Sequence, residues 1–141
     1  RIGMAVGNSE IIKALEIVKS NLDSGAPQAI QEMALTALSL DQEYIETRNA
    51  IYENRRNKIV ETLNNIGLYV DPPKASLYIW AEIPEEYSSK DFSEQLLEEC
   101  NVLVSPGTSY GKYGEGFVRL SLTLSDDKID EALKRIAKWK Q

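Results

Sequence analysis

An α+β chain is expected here, with a small, largely antiparallel sheet covered by helices, and three features of its 141 residues point to it. Apolar residues recur at helical spacing through the first 66 positions. The composition then changes at the turn-rich joint DPPKAS, residues 71–76. Beyond the joint, the pattern reads strand, helix, strand, strand, helix, an order that one small sheet can accommodate.

The elements follow in order. RIGMAVG, residues 1–7, is short, small and apolar, as a strand or extended segment would be. Asn8 or Ser9 can cap a first helix, in which Ile11, Leu15, Val18 and Leu22 line one face. DSGAP, residues 23–27, breaks it through Gly25 and Pro27. A second helix carries Ile30, Met33, Ala34, Ala37 and Leu38 as its stripe. Asp41 can cap a third helix in which Ile45, Tyr52, Ile59 and Ile66 stand seven apart, with Gly67 as its stop. About 26 residues at 1.5 Å each give ~39 Å, long enough to connect two bodies.

After the joint, LYIWAEI reads as a strand with Leu77, Tyr78 and Trp80 in the core. Asp91, with Glu94 three residues on, is a variant capping box for a helix ending at Cys100, which reads as a small buried apolar residue. VLVSP is a short strand closed by Pro106, and residues 107–116 form a glycine-rich loop. Residues 117–124 are the third strand. Ser125 can cap the last helix, where Asp126 and Asp127 open the first turn and Lys134, Arg135, Lys138 and Lys140 crowd the far end, matching the macrodipole. Ile129, Leu133, Ile136 and Ala137 form its buried stripe.

Composition narrows the function. A formal net charge of −6 argues against nucleic acid and anionic membrane surfaces as partners. With no histidine, the commonest general base and metal ligand are both missing, so catalytic triads and zinc sites are disfavoured and no metal is expected. A single cysteine permits no internal disulfide, which suits the cytoplasm. No apolar run approaches the ~20 residues that span a bilayer. The chain starts at Arg1 without methionine and reads as part of something longer.

Few motifs remain. The loop 107–116 carries four glycines, but no Lys-Ser or Lys-Thr follows at P-loop spacing and Gly114-Glu115-Gly116 does not extend to GxGxxG, so it reads as a flexible or lid-like loop. Glu94, Glu98 and Glu99 read as a solvated helix face. Arg48, Arg55, Arg56 and Lys58 read as cations paired with Glu46, Glu53 and Glu61 along the long helix. Arg119 is different: strand alternation puts it on one face with Phe117, Ser121 and Thr123. Its charge is permanent, so it must sit in solvent, pair with a carboxylate, or await an anionic ligand.

Taken together, RIGMAVGN, SGAPQAIQEMALTAL, PKASLYIWAEIP and NVLVSPGTSYGKYGEGFVRLSLT resemble the C-terminal part of the class I and II aminotransferases, in the family's order and along essentially the whole chain. The resemblance is nearest to the aspartate and LL-diaminopimelate branch. It implies fold type I, pyridoxal 5'-phosphate as cofactor, and transfer of an amino group between an amino acid and a 2-oxo acid. It implies that Arg119 binds the substrate's α-carboxylate, that Arg1 binds the cofactor phosphate and that Gln28 lies near the cofactor. It assigns no catalytic residue to this chain, because the cofactor-linking lysine and the groups that grip the ring have no counterpart here. It implies that residues 1–40 belong to the edge of a large cofactor-binding domain, 41–67 to a connecting helix and 68–141 to a small domain, in a cytoplasmic homodimer. A rival reading is a non-enzymatic module that binds amino acids, since ferredoxin-like regulatory domains begin with the same element order.

Overall fold

The computed structural model describes residues 2–139, which fall into two compact units, one ending at Ile45 and the other beginning at Glu46. In the first unit, the segment before Asn8 forms no strand among the described residues, which leaves the extended alternative of the two expected. A lone extended stretch has no ladder to join, and small apolar composition does not supply one. Helix α1 (Ser9–Leu22) is capped by Asn8, whose side chain accepts from the amides of Glu10 and Ile11. At its end Asp23 accepts from the Lys19 ammonium at 2.6 Å and from the Gly25 amide at 2.7 Å, and Gly25 turns the chain at φ 103°. Helix α2 (Gln28–Leu38) follows Pro27. Both helices carry the expected apolar stripes, but neither has a fully buried residue, and Met33 and Leu38 stay 67% and 84% exposed.

Helix α3 (Gln42–Asn65) runs 24 residues. Only its last turns reach a core, through Ile59, Val60 and Leu63. It stops as the sequence indicates. Gly67 adopts φ 84°, its amide bonds to the Asn64 carbonyl, and the Leu68 amide reaches back to the Leu63 carbonyl at 3.0 Å. Leu63 and Leu68 are both buried, which completes the apolar contact of this helix stop.

The second unit contains β1 (Tyr78–Glu82), α4 (Ser89–Cys100), β2 (Ser105–Pro106), β3 (Phe117–Ser121) and α5 (Asp126–Lys138), in the expected order. The sheet runs β1-β3-β2, with β3 central and antiparallel to both neighbours. Ile79, Ala81, Val118 and Leu120 point into a core with Phe92, Leu96 and Cys100 of α4 and Ile129, Leu133 and Ile136 of α5. At ~25 cal/mol per Å² of apolar surface, a buried Leu or Ile contributes about 1.5–3 kcal/mol.

Three expectations need correction. Leu77, Tyr78 and Trp80 are not core: Tyr78 and Trp80 are 41% and 38% exposed because the opposite parity, Ile79 and Ala81, meets the helices, and Leu77, 39% exposed, precedes the strand. Helix α4 begins before Asp91. Its cap is Ser88, whose hydroxyl accepts from the Asp91 amide and donates to the Asp91 carboxylate, so Asp91 occupies the third helical position. The strand expected at VLVSP shrinks to Ser105–Pro106, since only these residues find partners, Arg119 and Val118.

Candidate functional site: an arginine on an open sheet face

Alternation along β3 turns Val118 and Leu120 toward the helices and leaves Phe117, Arg119 and Ser121 on the uncovered face. Register places Trp80 of β1 on one side of Arg119 and Ser105 of β2 on the other. Arg119 is half-buried. Among the described residues no carboxylate lies within 4.0 Å of its guanidinium. Two tyrosine rings stand there instead, with the guanidinium carbon 4.0 Å from the Tyr78 ring centre and 4.4 Å from that of Tyr110. Trp80 stacks on Phe117 at 5.6 Å and meets Tyr110 edge-on at 5.9 Å. The face is therefore an aromatic floor around one permanent cation. A planar guanidinium in that setting can donate two parallel hydrogen bonds to a carboxylate, which a lysine cannot do.

The loop beside it is not the flexible element its glycines suggested. It folds as two 3₁₀ turns, Gly107–Tyr110 and Lys112–Gly114, closed backbone to backbone. A Cβ on Gly107 would lie 2.0 Å from the Gly114 carbonyl oxygen, and one on Gly114 2.0 Å from that of Gly107. Glycine is needed here for close approach rather than for freedom. Glu115 then ties the loop to α4, accepting from the Ser89 amide at 2.6 Å, the Ser89 hydroxyl at 3.0 Å and the Gly116 amide at 3.1 Å. These donors, the Ser89 amide foremost, hold the Glu115 carboxyl below its ordinary range. The loop thereby carries Tyr110 to Arg119.

Elsewhere the expectations divide. Cys100 is buried at the end of α4, and burial pushes its thiol pKa up, as for an inert core cysteine. Of the cations on α3, Arg56 pairs with Glu53 along the helix, but Arg55 pairs with Asp126 at 2.6 Å and Lys58 with Asp130 at 2.8 Å, so two of them bridge to α5. Glu99 accepts from the Trp139 indole, so that carboxylate is not merely solvated. Arg1 lies outside the described residues. Gln28 is the exposed first residue of α2, in the first unit, whereas Arg119 belongs to the second. A cavity of about 390 Å³, lined by Arg48, Tyr52, Arg56, Lys74 and Ser76, does not include Arg119.

The residues that sequence reasoning missed are Tyr78 and Tyr110. Strand parity could have found Tyr78 once the register was known; nothing in the loop marks Tyr110. Cofactor fit can be tested on the one glycine-rich loop. The space a phosphate would need between Gly107 and Gly114 is filled by their own backbones, so this loop offers no phosphate cradle.

Comparison with known proteins accords with this division. The aminotransferase class I and II family profile matches residues 1–136. LL-diaminopimelate aminotransferase of Dehalococcoides mccartyi (strain CBDB1) is 55% identical over 141 residues, which is 100% of this chain and 36% of that protein. The enzyme of the same name from Moorella thermoacetica is 43% identical over 136 residues, covering 96% and 35%. Among solved structures, a probable N-succinyldiaminopimelate aminotransferase from Thermus thermophilus superposes with TM-score 0.82 at 31% identity, covering 94% of this chain and 36% of that one. LL-diaminopimelate aminotransferase from Chlamydomonas reinhardtii gives 0.73 at 31% identity, covering 84% and 29%. The chain thus spans about a third of the length of the curated relatives it matches. Family match, relatives and fold agree: the chain belongs to the class I and II aminotransferases, a family of pyridoxal-phosphate enzymes.

Proposed function

We propose that this chain is the C-terminal part of an aminotransferase acting between an amino acid and a 2-oxo acid, and that Arg119 receives the substrate's α-carboxylate. The observation that carries this reading is the Arg119 guanidinium itself, half-buried among rings with no acid beside it among the described residues. A cation so placed costs desolvation that an internal acid would normally offset, and an anionic ligand can take that role. Bidentate contact would fix the carboxylate plane and so the direction of the Cα–H bond, which is an orientation effect.

Cofactor chemistry belongs to the two thirds of the relatives' length that this chain does not span. What the chain contributes is the carboxylate grip, with Arg1 and Gln28 proposed at the cofactor's periphery. Residues 1–40 are proposed as the edge of the large domain, 41–67 as the connecting helix and 68–141 as the small domain. This partition is supported by the composition change at residues 71–76, and the core formed by 68–141 also takes in Ile59, Val60 and Leu63 at the end of the connecting helix. The relatives' names support an amino donor of the diaminopimelate type. A cytoplasmic homodimer is proposed from the family resemblance; no helix among the described residues is long and apolar enough to cross a membrane.

The test is Arg119→Lys in the full-length protein, assayed with LL-diaminopimelate and 2-oxoglutarate. Replacing the fork by a point charge is expected to lower kcat/KM on the order of 10²-fold, about 3 kcal/mol, with the cofactor absorbance retained. Unchanged kcat/KM would remove Arg119 from the reaction.

A further inference from the structure

Arg119 stands in place with no acid to hold it, and what holds it is visible in the two rings. Tyr78 comes from β1, two register positions from the pair Trp80–Arg119 and on the same face, and Tyr110 ends the 3₁₀ turn that leaves β2. The rings therefore reach Arg119 from both neighbours of its strand, at 4.0 and 4.4 Å. Both rings rise from fixed backbone. Tyr110 is braced by Trp80 and anchored through a loop that Gly107, Gly114 and Glu115 close, and Tyr78 lies in the β1–β3 ladder.

The donors of a guanidinium lie in its plane, so a ring stacked on either face uses up none of them. A free arginine side chain carries large rotamer entropy, which an incoming acid would otherwise have to overcome. The ring faces are also electron-rich, and stabilise the cation without a carboxylate that would compete with the ligand.

We propose that Tyr78 and Tyr110 are positioning residues which preset the plane of Arg119, so that an amino acid's planar carboxylate meets two donors edge-on. This rests on the assignment of Arg119 as the carboxylate-binding group. It adds that the aromatic face supplies no carboxylate to compete with the incoming acid, and that the rings act through Arg119 without touching substrate.

The experiment uses the full-length protein with its cofactor. Tyr110→Phe serves as the reference, and phenylalanines carrying one, two and three ring fluorines are placed at position 110. Each fluorine weakens the negative ring face while nearly preserving shape. The KM for the amino donor and the Kd of 2-oxoglutarate should rise stepwise, reaching about 3- to 30-fold in the trifluoro variant, while kcat changes less than threefold and the cofactor absorbance and melting temperature stay at the reference. Tyr78→Leu should raise both constants in the same range. A flat fluorine series, or a series in which kcat falls and KM does not, overturns the inference. Arg119→Lys run beside it separates the two claims. If that variant loses 2-oxoglutarate while the series is flat, Arg119 binds the acid without help from the rings; if it binds 2-oxoglutarate as before, the assignment of Arg119 itself fails.

Discussion

Arg119 and Glu115 show how differently two charged residues four positions apart can be used. Arg119 is kept without an acid among the described residues and faces an open aromatic floor. Glu115, exposed though it is, is consumed by the fold: its carboxylate sits at the first amides of α4 and accepts from Ser89 twice and Gly116 once. Those donors favour the charged form and lower its pKa from the ordinary 4.5. A carboxyl whose pKa is lower folded than unfolded adds stability above the unfolded pKa, and that part is lost as pH falls through the folded one. Glu115→Gln should therefore cost stability at pH 7, and the gap to the parent should close as pH drops below about 4.5, when both are compared by urea unfolding. A gap unchanged at pH 3 would mean that the hydrogen bonds, not the charge, matter. The sequence marked Arg119 as unusual through strand alternation, but nothing local singled out Glu115, whose partner Ser89 lies 26 residues away.

Among the elements, α3 and α5 are joined in two ways of unequal weight. Ile59, Val60 and Leu63 bury against the core, with Leu63 only 2% exposed. Beside them Lys58 and Asp130 form an ion pair whose side chains remain 41% and 45% exposed. Leu63→Ala should cost about 2–5 kcal/mol, through lost transfer energy and the cavity left behind. A double-mutant cycle on Lys58 and Asp130 should give a coupling of roughly 0.2–1 kcal/mol, shrinking with salt. Denaturant midpoints on the same chain compare the two, and a coupling above the Leu63 loss would reverse the ranking. Element existence was legible from periodicity and caps: Asn8 and Gly67 serve as read, and Ser125 stands at the N-cap position of α5 though its side chain makes no capping hydrogen bond. Pairing was not, and Arg55 and Lys58, expected to bond along their own helix, reach Asp126 and Asp130 instead. Spacing along one helix reveals neighbours on that helix, but not which charges another helix brings within reach.

For the whole molecule, the two units differ in how well they cover themselves. From Glu46 onward there is a continuous core, whereas α1 and α2 leave Ile11, Val18, Leu22, Met33 and Leu35 between 57% and 78% exposed. Such faces associate with other apolar surface. In sedimentation runs the 141-residue chain is expected to self-associate as concentration rises, and residues 46–141 to stay monomeric; a monomeric 141-residue chain at all concentrations would contradict this. Mixed with pyridoxal phosphate, the 141-residue chain, which spans about a third of its relatives' length, should show no bound-cofactor absorbance and no transamination. Cofactor trapped by borohydride on one specific lysine of this chain would overturn that expectation.

Reading the residues alone was enough for the α+β order and most helix limits, because caps, glycine stops and apolar periods act over a few neighbouring positions, while the family came from the resemblance of whole segments such as residues 101–123. It was also enough to put Arg119 on a face with Phe117 and Ser121. Which face the helices would cover, and hence that Tyr78 and Trp80 would line the arginine rather than the core, came from strand register and layer packing. The reason is physical. A period of two says which side chains share a side, but the side that is buried depends on partners far away in the chain. The same holds for Gly107 and Gly114, whose contact is made by the closure of the loop and is written in neither residue.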